Sequence, residues 1–234
     1  MSGFVIAPPP VSSIAVAGSK DRFPVRRIYC VGRNYEAHAR EMGKDPTREA
    51  PFFFMKPADA IVDSGQTIPY PPDTANLHHE IEMVVAIGKG GVNIPEDQAL
   101  AHVWGYGIGI DFTRRDRQGE AKDAGRPWEW GKAFDRSAPM APLHPVSATG
   151  HVARGRIWLA VNGKVRQDQD VADLIWSVPE IISICSRSMA LAPGDVIMTG
   201  TPAGVAAVVA GDVLTGGVEG IGEIMITLGP KAGA

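Results

Sequence analysis

The stretch His79-Glu80-Ile81-Glu82-Met83-Val84-Val85 decides how the rest of the chain is read. It has the apolar content of a β-strand, and strand alternation sends Glu80 and Glu82 to the same side. Two carboxylates side by side repel, and a divalent cation that prefers oxygen ligands relieves the repulsion. A second apolar run, Trp104-Gly105-Tyr106-Gly107-Ile108-Gly109-Ile110, reads as a strand that could pair beside the first, and it ends at Asp111. Asp111 is therefore the candidate third carboxylate. Three carboxylates with no cysteine and no obvious histidine partner suit Mg²⁺ or Mn²⁺ rather than zinc. The same alternation also fits a half-exposed antiparallel strand that presents both glutamates to solvent.

Bulk composition narrows the function classes. The 234 residues are 44% hydrophobic and 21% charged, which is ordinary globular usage and enough chain to bury a core without staples. A net charge of -3 leaves no basic surplus for a phosphate backbone, so no nucleic-acid partner is expected. Cys30 and Cys185 are too few for a disulfide framework and lack C-x-x-C spacing, which suits a reducing cytoplasm. The first ten residues have no basic segment and are broken by Pro8-Pro9-Pro10, against a signal peptide. No run approaches the length of a membrane span, so no membrane partner is expected.

Twenty-seven glycines and 19 prolines punctuate many short apolar segments, the pattern of strands and turns. The fold class expected is α+β, rich in β, with few helices. Strands are expected at Arg27 to Val31, Glu80 to Ile87, Trp104 to Phe112, Arg156 to Asn162, Asp195 to Thr199 and Gly222 to Leu228. One sizeable helix is expected, beginning near Asp170 or Val171, with Pro179 suited to a first turn, and stopping around Leu191 before Ala192-Pro193-Gly194-Asp195. The glycine clusters at 88–91 and 105–109 do not fit a dinucleotide loop and are read as turns or tight strand packing.

Several polar groups could carry chemistry. In Gly32-Arg33-Asn34-Tyr35-Glu36-Ala37-His38-Ala39-Arg40-Glu41, helical geometry would place His38 and Glu41 on one face. A carboxylate beside an imidazole makes a general base near neutral pH, although a surface pair reads the same way. Met42 to Ala50 is charged, contains a proline and has little to bury, as a lid would. Lys56, among Phe52, Phe53, Phe54 and Met55, is either a core-edge lysine or a functional one. Lys132, close to Trp128, Trp130 and Phe134, could stabilise an enolate or oxyanion, or pack on aromatic rings at the surface. Asp111 to Gln118 reads as a polar loop leaving a strand end. Thr199-Gly200-Thr201-Pro202 reads as a turn whose N–H groups and hydroxyl could hold a carboxylate.

Taken in order, Val31-Gly32-Arg33-Asn34-Tyr35 with His38 and Glu41, Lys56-Pro57, His78-His79-Glu80-Ile81-Glu82, Asp111-Phe112-Thr113, Gly131-Lys132 and Thr199-Gly200-Thr201-Pro202 resemble the fumarylacetoacetate hydrolase family, in its short single-domain branch. The resemblance runs from about Arg27 to Leu228. It implies a mixed β-roll or barrel-like core in a catalytic domain at 26–234, with 1–25 as an arm or peripheral segment, and assembly as a homodimer. It further implies Mg²⁺ or Mn²⁺ on Glu80, Glu82 and Asp111. His38 and Glu41 would lie on a lid helix that activates water, Lys132 near the metal, and Arg33, Arg115, Gln118 and Thr201 against a small ketoacid substrate. The implied activity is hydrolysis of a carbon–carbon bond in an acylpyruvate. The Pro51 to Ala60 segment points to cleavage of fumarylpyruvate into fumarate and pyruvate. Oxaloacetate decarboxylation, ketoacid isomerisation with decarboxylation, and ketoacid binding without turnover are the alternatives.

Overall fold

The computed structural model describes residues 3–41 and 49–231. Two mixed sheets face each other across the main core. One runs in the order Phe52–Lys56, Arg27–Gly32, Asp195–Met198, Ile81–Ile87, Val103–Ile110, Ala138–Met140, Ile61–Asp63, with His144–Pro145 also on Val103–Ile110. The other runs Lys164–Asp170, Arg156–Val161, Val213–Val218, Gly222–Lys231, Thr67–Tyr70. Each sheet contains parallel as well as antiparallel pairs. All six strands expected from the sequence form, within one to three residues of their expected ends.

The Ile81–Ile87 strand is buried on both faces, which explains its near-continuous apolar run. Met83, Val85 and Ile87 join the core between the sheets with Ile157, Leu159 and Ile226. Val84 and Ala86 point the other way, into a second core with Ile28, Val196 and Met198. Ile14 and Phe23, from the Ser13–Ala15 and Arg22–Pro24 hairpin, complete that second core. The reading of Glu80 and Glu82 as a solvated strand face is overturned, because both are buried. Glu80 lies just before the strand, and Glu82 shares its face with Val84 and Ala86.

Glycines in Val103–Ile110 permit the close packing expected of them. Gly109 sits opposite Glu82, and a Cβ there would stand 2.9 Å from both Met140 Sδ and Met198 Cε.

Two expectations are corrected. The helix expected from residue 170 or 171 begins at Val178, after a short 3₁₀ turn at Val171–Asp173, and ends at Ser188. Ser177 and Glu180 form a capping box with Pro179 in the first turn, so the local signal stands seven residues later than the apolar pattern suggested. The polar stretch after Asp111, read as a loop, contains the Arg115–Asp123 helix. Asp116, in its first turn, anchors it by accepting hydrogen bonds from Thr74 Oγ1, Ala75 N–H and Arg117 N–H. With almost no apolar face, this helix gives no periodic signal. No helix among the described residues is long and apolar enough to cross a membrane.

Candidate active site

Strand register assembles the carboxylates. Ile81 pairs with Ile110, so Glu80 and Asp111 leave the ends of neighbouring strands together, and Asp111 N–H donates to Glu80 O at 2.8 Å. One carboxylate oxygen from each of Glu80, Glu82 and Asp111 lies within 4.8 Å of the others, and all three residues are buried.

Cations surround two of the three. Lys132 Nζ donates to Glu80 Oε2 at 2.9 Å, Asp111 Oδ2 at 2.6 Å and Thr113 Oγ1 at 2.7 Å, which uses all its hydrogens. Lys132 is buried, which removes the surface reading, although its ammonium does lie 4.8 Å from the centre of the Phe54 ring. Lys56 Nζ lies 2.8 Å from Asp111 Oδ1 and donates to the carbonyls of Phe112 and Lys132. Arg115 pairs with Glu80 Oε1 and bonds to Gln118. Burial disfavours ionisation of Glu80, but Lys132, Arg115 and His38 outweigh it and hold this carboxyl below its usual range. Burial likewise opposes the charge on Lys132, and Asp111 and Glu80 outweigh it to raise its pKa.

Glu82 is different. Its Oε2 accepts from Gly200 N–H at 2.7 Å, and no cationic side chain pairs with it among the described residues. Burial, then the charges of Asp111 and Glu80, push its pKa well above the ordinary carboxylate value. Gly200 can approach because it has no Cβ. Its φ is +103°, and a Cβ would stand 2.7 Å from that of Asn34. The buried Asn34 in turn donates to Thr199 O and Trp176 O and accepts from Trp176 N–H, fixing the loop after Arg27–Gly32 against Thr199-Gly200. The donor set therefore fits a divalent cation: three clustered oxygens, no sulfur or nitrogen, and one carboxylate whose charge lacks a partner.

A cleft of about 470 Å³, its open mouth included, stands over this base. His38, Arg33, Glu80, Glu82, Arg115, Gln118, Lys132 and Thr201 all line it, so it gathers eight of the ten residues singled out from the sequence. Asp111 lies beneath, fully buried. His38 belongs to the Glu36–Glu41 helix and is buried at the wall. The Glu41 side chain and residues 42–48 of the lid expected at Met42 to Ala50 lie outside the described residues. Phe52, Phe54 and Trp128 form an aromatic side of the cleft, with Trp128 edge-on to Phe52 at 5.2 Å.

Sequence reasoning left Lys56 open and gave Gln167 and His79 no role. Lys56 carried a signal, a charge in a Phe-rich strand. Gln167 carried none, since Arg166-Gln167-Asp168-Gln169 reads as an exposed hairpin. Both are buried at the site. His79 Nδ1 faces Gln167 Oε1 at 2.9 Å, and burial lowers its pKa.

Fold and site together define a family. The sequence model for the fumarylacetoacetate (FAA) hydrolase C-terminal family matches residues 27–228, and the chain belongs to that family. It is 48% identical to a fumarylpyruvate hydrolase of a Ralstonia species over 186 residues, 80% of this chain and 96% of the relative. It is 40% identical to a mitochondrial oxaloacetate tautomerase of Homo sapiens over 196 residues, 84% of this chain and 88% of the relative. Among solved structures, that of fumarylpyruvate hydrolase from Pseudomonas aeruginosa in complex with Mn²⁺ and pyruvate superposes with a TM-score of 0.95 at 53% identity, covering 98% of this chain and 100% of the other.

Proposed function

We propose that this chain hydrolyses a carbon–carbon bond in an acylpyruvate, with fumarylpyruvate as the favoured substrate. The observation that carries this reading is the placement of His38 in one cleft with Glu80 and Glu82, above Asp111. The similarity to proteins named for fumarylpyruvate hydrolysis, one solved with Mn²⁺ and pyruvate, supports the same chemistry. Glu80, Glu82 and Asp111 would hold Mg²⁺ or Mn²⁺, which when bound polarises the oxygens of a 2-ketoacid.

The chain's own residues then divide the work. His38, oriented by Glu41, takes a proton from the water that adds to the distal carbonyl. The bond from that carbonyl carbon to the adjacent methylene breaks, the acyl group leaves as a carboxylic acid, and the electron pair stays on pyruvate as its enolate, whose methylene carbon then takes the proton held by His38. Lys132 holds Glu80 and Asp111 in place and offers positive charge to the enolate oxygen. Arg33, Arg115, Gln118 and Thr201 supply donors to the substrate's oxygens. The catalytic domain on this reading is 26–234, with 1–25 as an arm, and two copies pair as a homodimer in the cytoplasm. Sedimentation of the purified protein reads the pairing.

A second reading, oxaloacetate tautomerisation or decarboxylation, is favoured by the 40% identity to the human oxaloacetate tautomerase. It needs no attacking water. The purified protein is assayed on fumarylpyruvate and oxaloacetate in parallel, with Mn²⁺ and with EDTA. Metal-dependent release of fumarate and pyruvate that outpaces any change in oxaloacetate is expected, and faster conversion of oxaloacetate would move the function to the second reading.

A further inference from the structure

Gln167 lies on the Lys164–Asp170 strand, where its neighbours Arg166 and Asp168 face solvent, yet it is itself fully buried. Its amide makes four contacts. Oε1 accepts from Ile81 N–H at 3.1 Å and faces His79 Nδ1 at 2.9 Å. Nε2 donates to Thr201 Oγ1 at 2.8 Å and to Pro202 O at 2.8 Å. That is the full hydrogen-bonding capacity of a glutamine side chain.

The partners fix which end of the amide is which. The Ile81 N–H can only donate and the Pro202 carbonyl can only accept, so the orientation follows from chemistry. Two proton positions follow from it. His79 must carry its hydrogen on Nδ1 to meet Oε1. Thr201 Oγ1 receives a hydrogen from Gln167, and its own hydrogen has no acceptor among the described residues. Thr201 lines the cleft, so that hydrogen is available to an acceptor there.

We infer that Gln167 is a positioning residue: it makes the Thr201 hydroxyl a donor aimed into the cleft, and ties that donor to the backbone between Glu80 and Glu82. The ligand class is an anionic oxygen, the carboxylate of a 2-ketoacid, held at a set distance from the three carboxylates. This inference rests on the ketoacid reading of the site. An apolar residue of the same size at 167 would take the donor away from Thr201 Oγ1 and from the Pro202 carbonyl, and nothing would then set the direction of the Thr201 hydrogen.

The test uses the Mn²⁺-loaded full chain with pyruvate as the probe, titrated by calorimetry, on the wild type, Gln167→Met, Thr201→Val and the double variant. Losing one hydrogen bond to a charged group weakens binding about tenfold or more. Gln167→Met and Thr201→Val are each expected to weaken pyruvate binding by about that factor, and the double variant by no more than about twofold beyond the weaker single. With acylpyruvate, Gln167→Met is expected to raise KM more than it lowers kcat. Should Gln167→Met fail to fold, Gln167→Glu carries the same test, since a carboxylate there accepts from Thr201 and turns its hydrogen away from the cleft. Additive losses in the double variant, or a folded Gln167 variant that only melts earlier and binds pyruvate as the wild type does, would overturn the inference alone. A wild type that binds no pyruvate would overturn the ketoacid reading and this inference with it.

Discussion

At the base of the cleft Lys132 commits every ammonium hydrogen to Glu80, Asp111 and Thr113, and all four side chains are buried. At the rim of the molecule, outside the cleft, Arg40 meets Glu36 one helical turn away, with the two side chains 61% and 59% exposed. The chemistry is the same, a cation on a carboxylate, but only at the base has water been removed. There the pairs are short and saturated, and removing one member leaves a buried charge uncompensated. At the rim the pair competes with water and holds little. Charge in this molecule therefore acts where strands deliver it below the surface.

Substitutions at the base and the rim can break that contrast. The largest effect is expected for Glu82→Gln, which keeps an acceptor for Gly200 N–H and removes one of three anionic ligands. Acylpyruvate turnover should fall more than about a hundredfold, as loss of several kcal/mol of cation chemistry requires. The same variant sharpens the electrostatics. The Glu82 pKa in the fold is raised above its ordinary 4.5, so its ionised form is costly without metal. Above about pH 4.5 the unfolded chain gives up the Glu82 proton more readily, and the metal-free fold loses stability as pH rises through the raised pKa. In EDTA, the melting temperature of Glu82→Gln should therefore exceed that of the wild type at neutral pH and converge with it towards pH 4. In Mn²⁺ the order should invert, and the wild-type affinity for Mn²⁺ should rise with pH as the Glu82 proton is displaced.

His38→Ala is next. Loss of a general base should slow hydrolysis by about a hundred- to ten-thousandfold. Decarboxylation of oxaloacetate should fall less, because no water attacks, and equal losses of hydrolysis and decarboxylation would contradict the base assignment. Lys132→Met removes the cation shared by Glu80 and Asp111 and leaves them Arg115 and Lys56, which should cost about 3 kcal/mol of stability in the metal-free protein, read by urea unfolding in EDTA. At the small end, Arg40→Ala should leave both melting temperature and turnover at wild-type values. A loss there comparable to that of Lys132→Met would dissolve the contrast between base and rim.

Much of the base was legible in the sequence. Glu80, Glu82 and Asp111 announce themselves because β alternation and strand ends are local rules, and the register that joins them needs only two neighbouring strands. His38, Lys132 and Thr201 were placed through the resemblance of ordered motifs, and the cleft gathers them. What escaped depends on contacts between distant elements. Gln167 reaches the site from a hairpin 85 residues after Glu82 whose neighbouring side chains face water. The Arg115–Asp123 helix has no apolar stripe, so what ties it down is the Asp116 carboxylate in its first turn, bonded to Thr74 and Ala75. The late start of the Val178–Ser188 helix reflects competition between an apolar pattern running from Leu174 and the stronger Ser177 and Glu180 cap.

The most direct measurement is anomalous diffraction from crystals grown with Mn²⁺ and pyruvate. One strong manganese peak is expected, bonded to an oxygen of each of Glu80, Glu82 and Asp111, with pyruvate beside it and its carboxylate within hydrogen-bonding distance of Thr201. A manganese peak elsewhere, or none at these three carboxylates at saturating metal, would contradict this assignment.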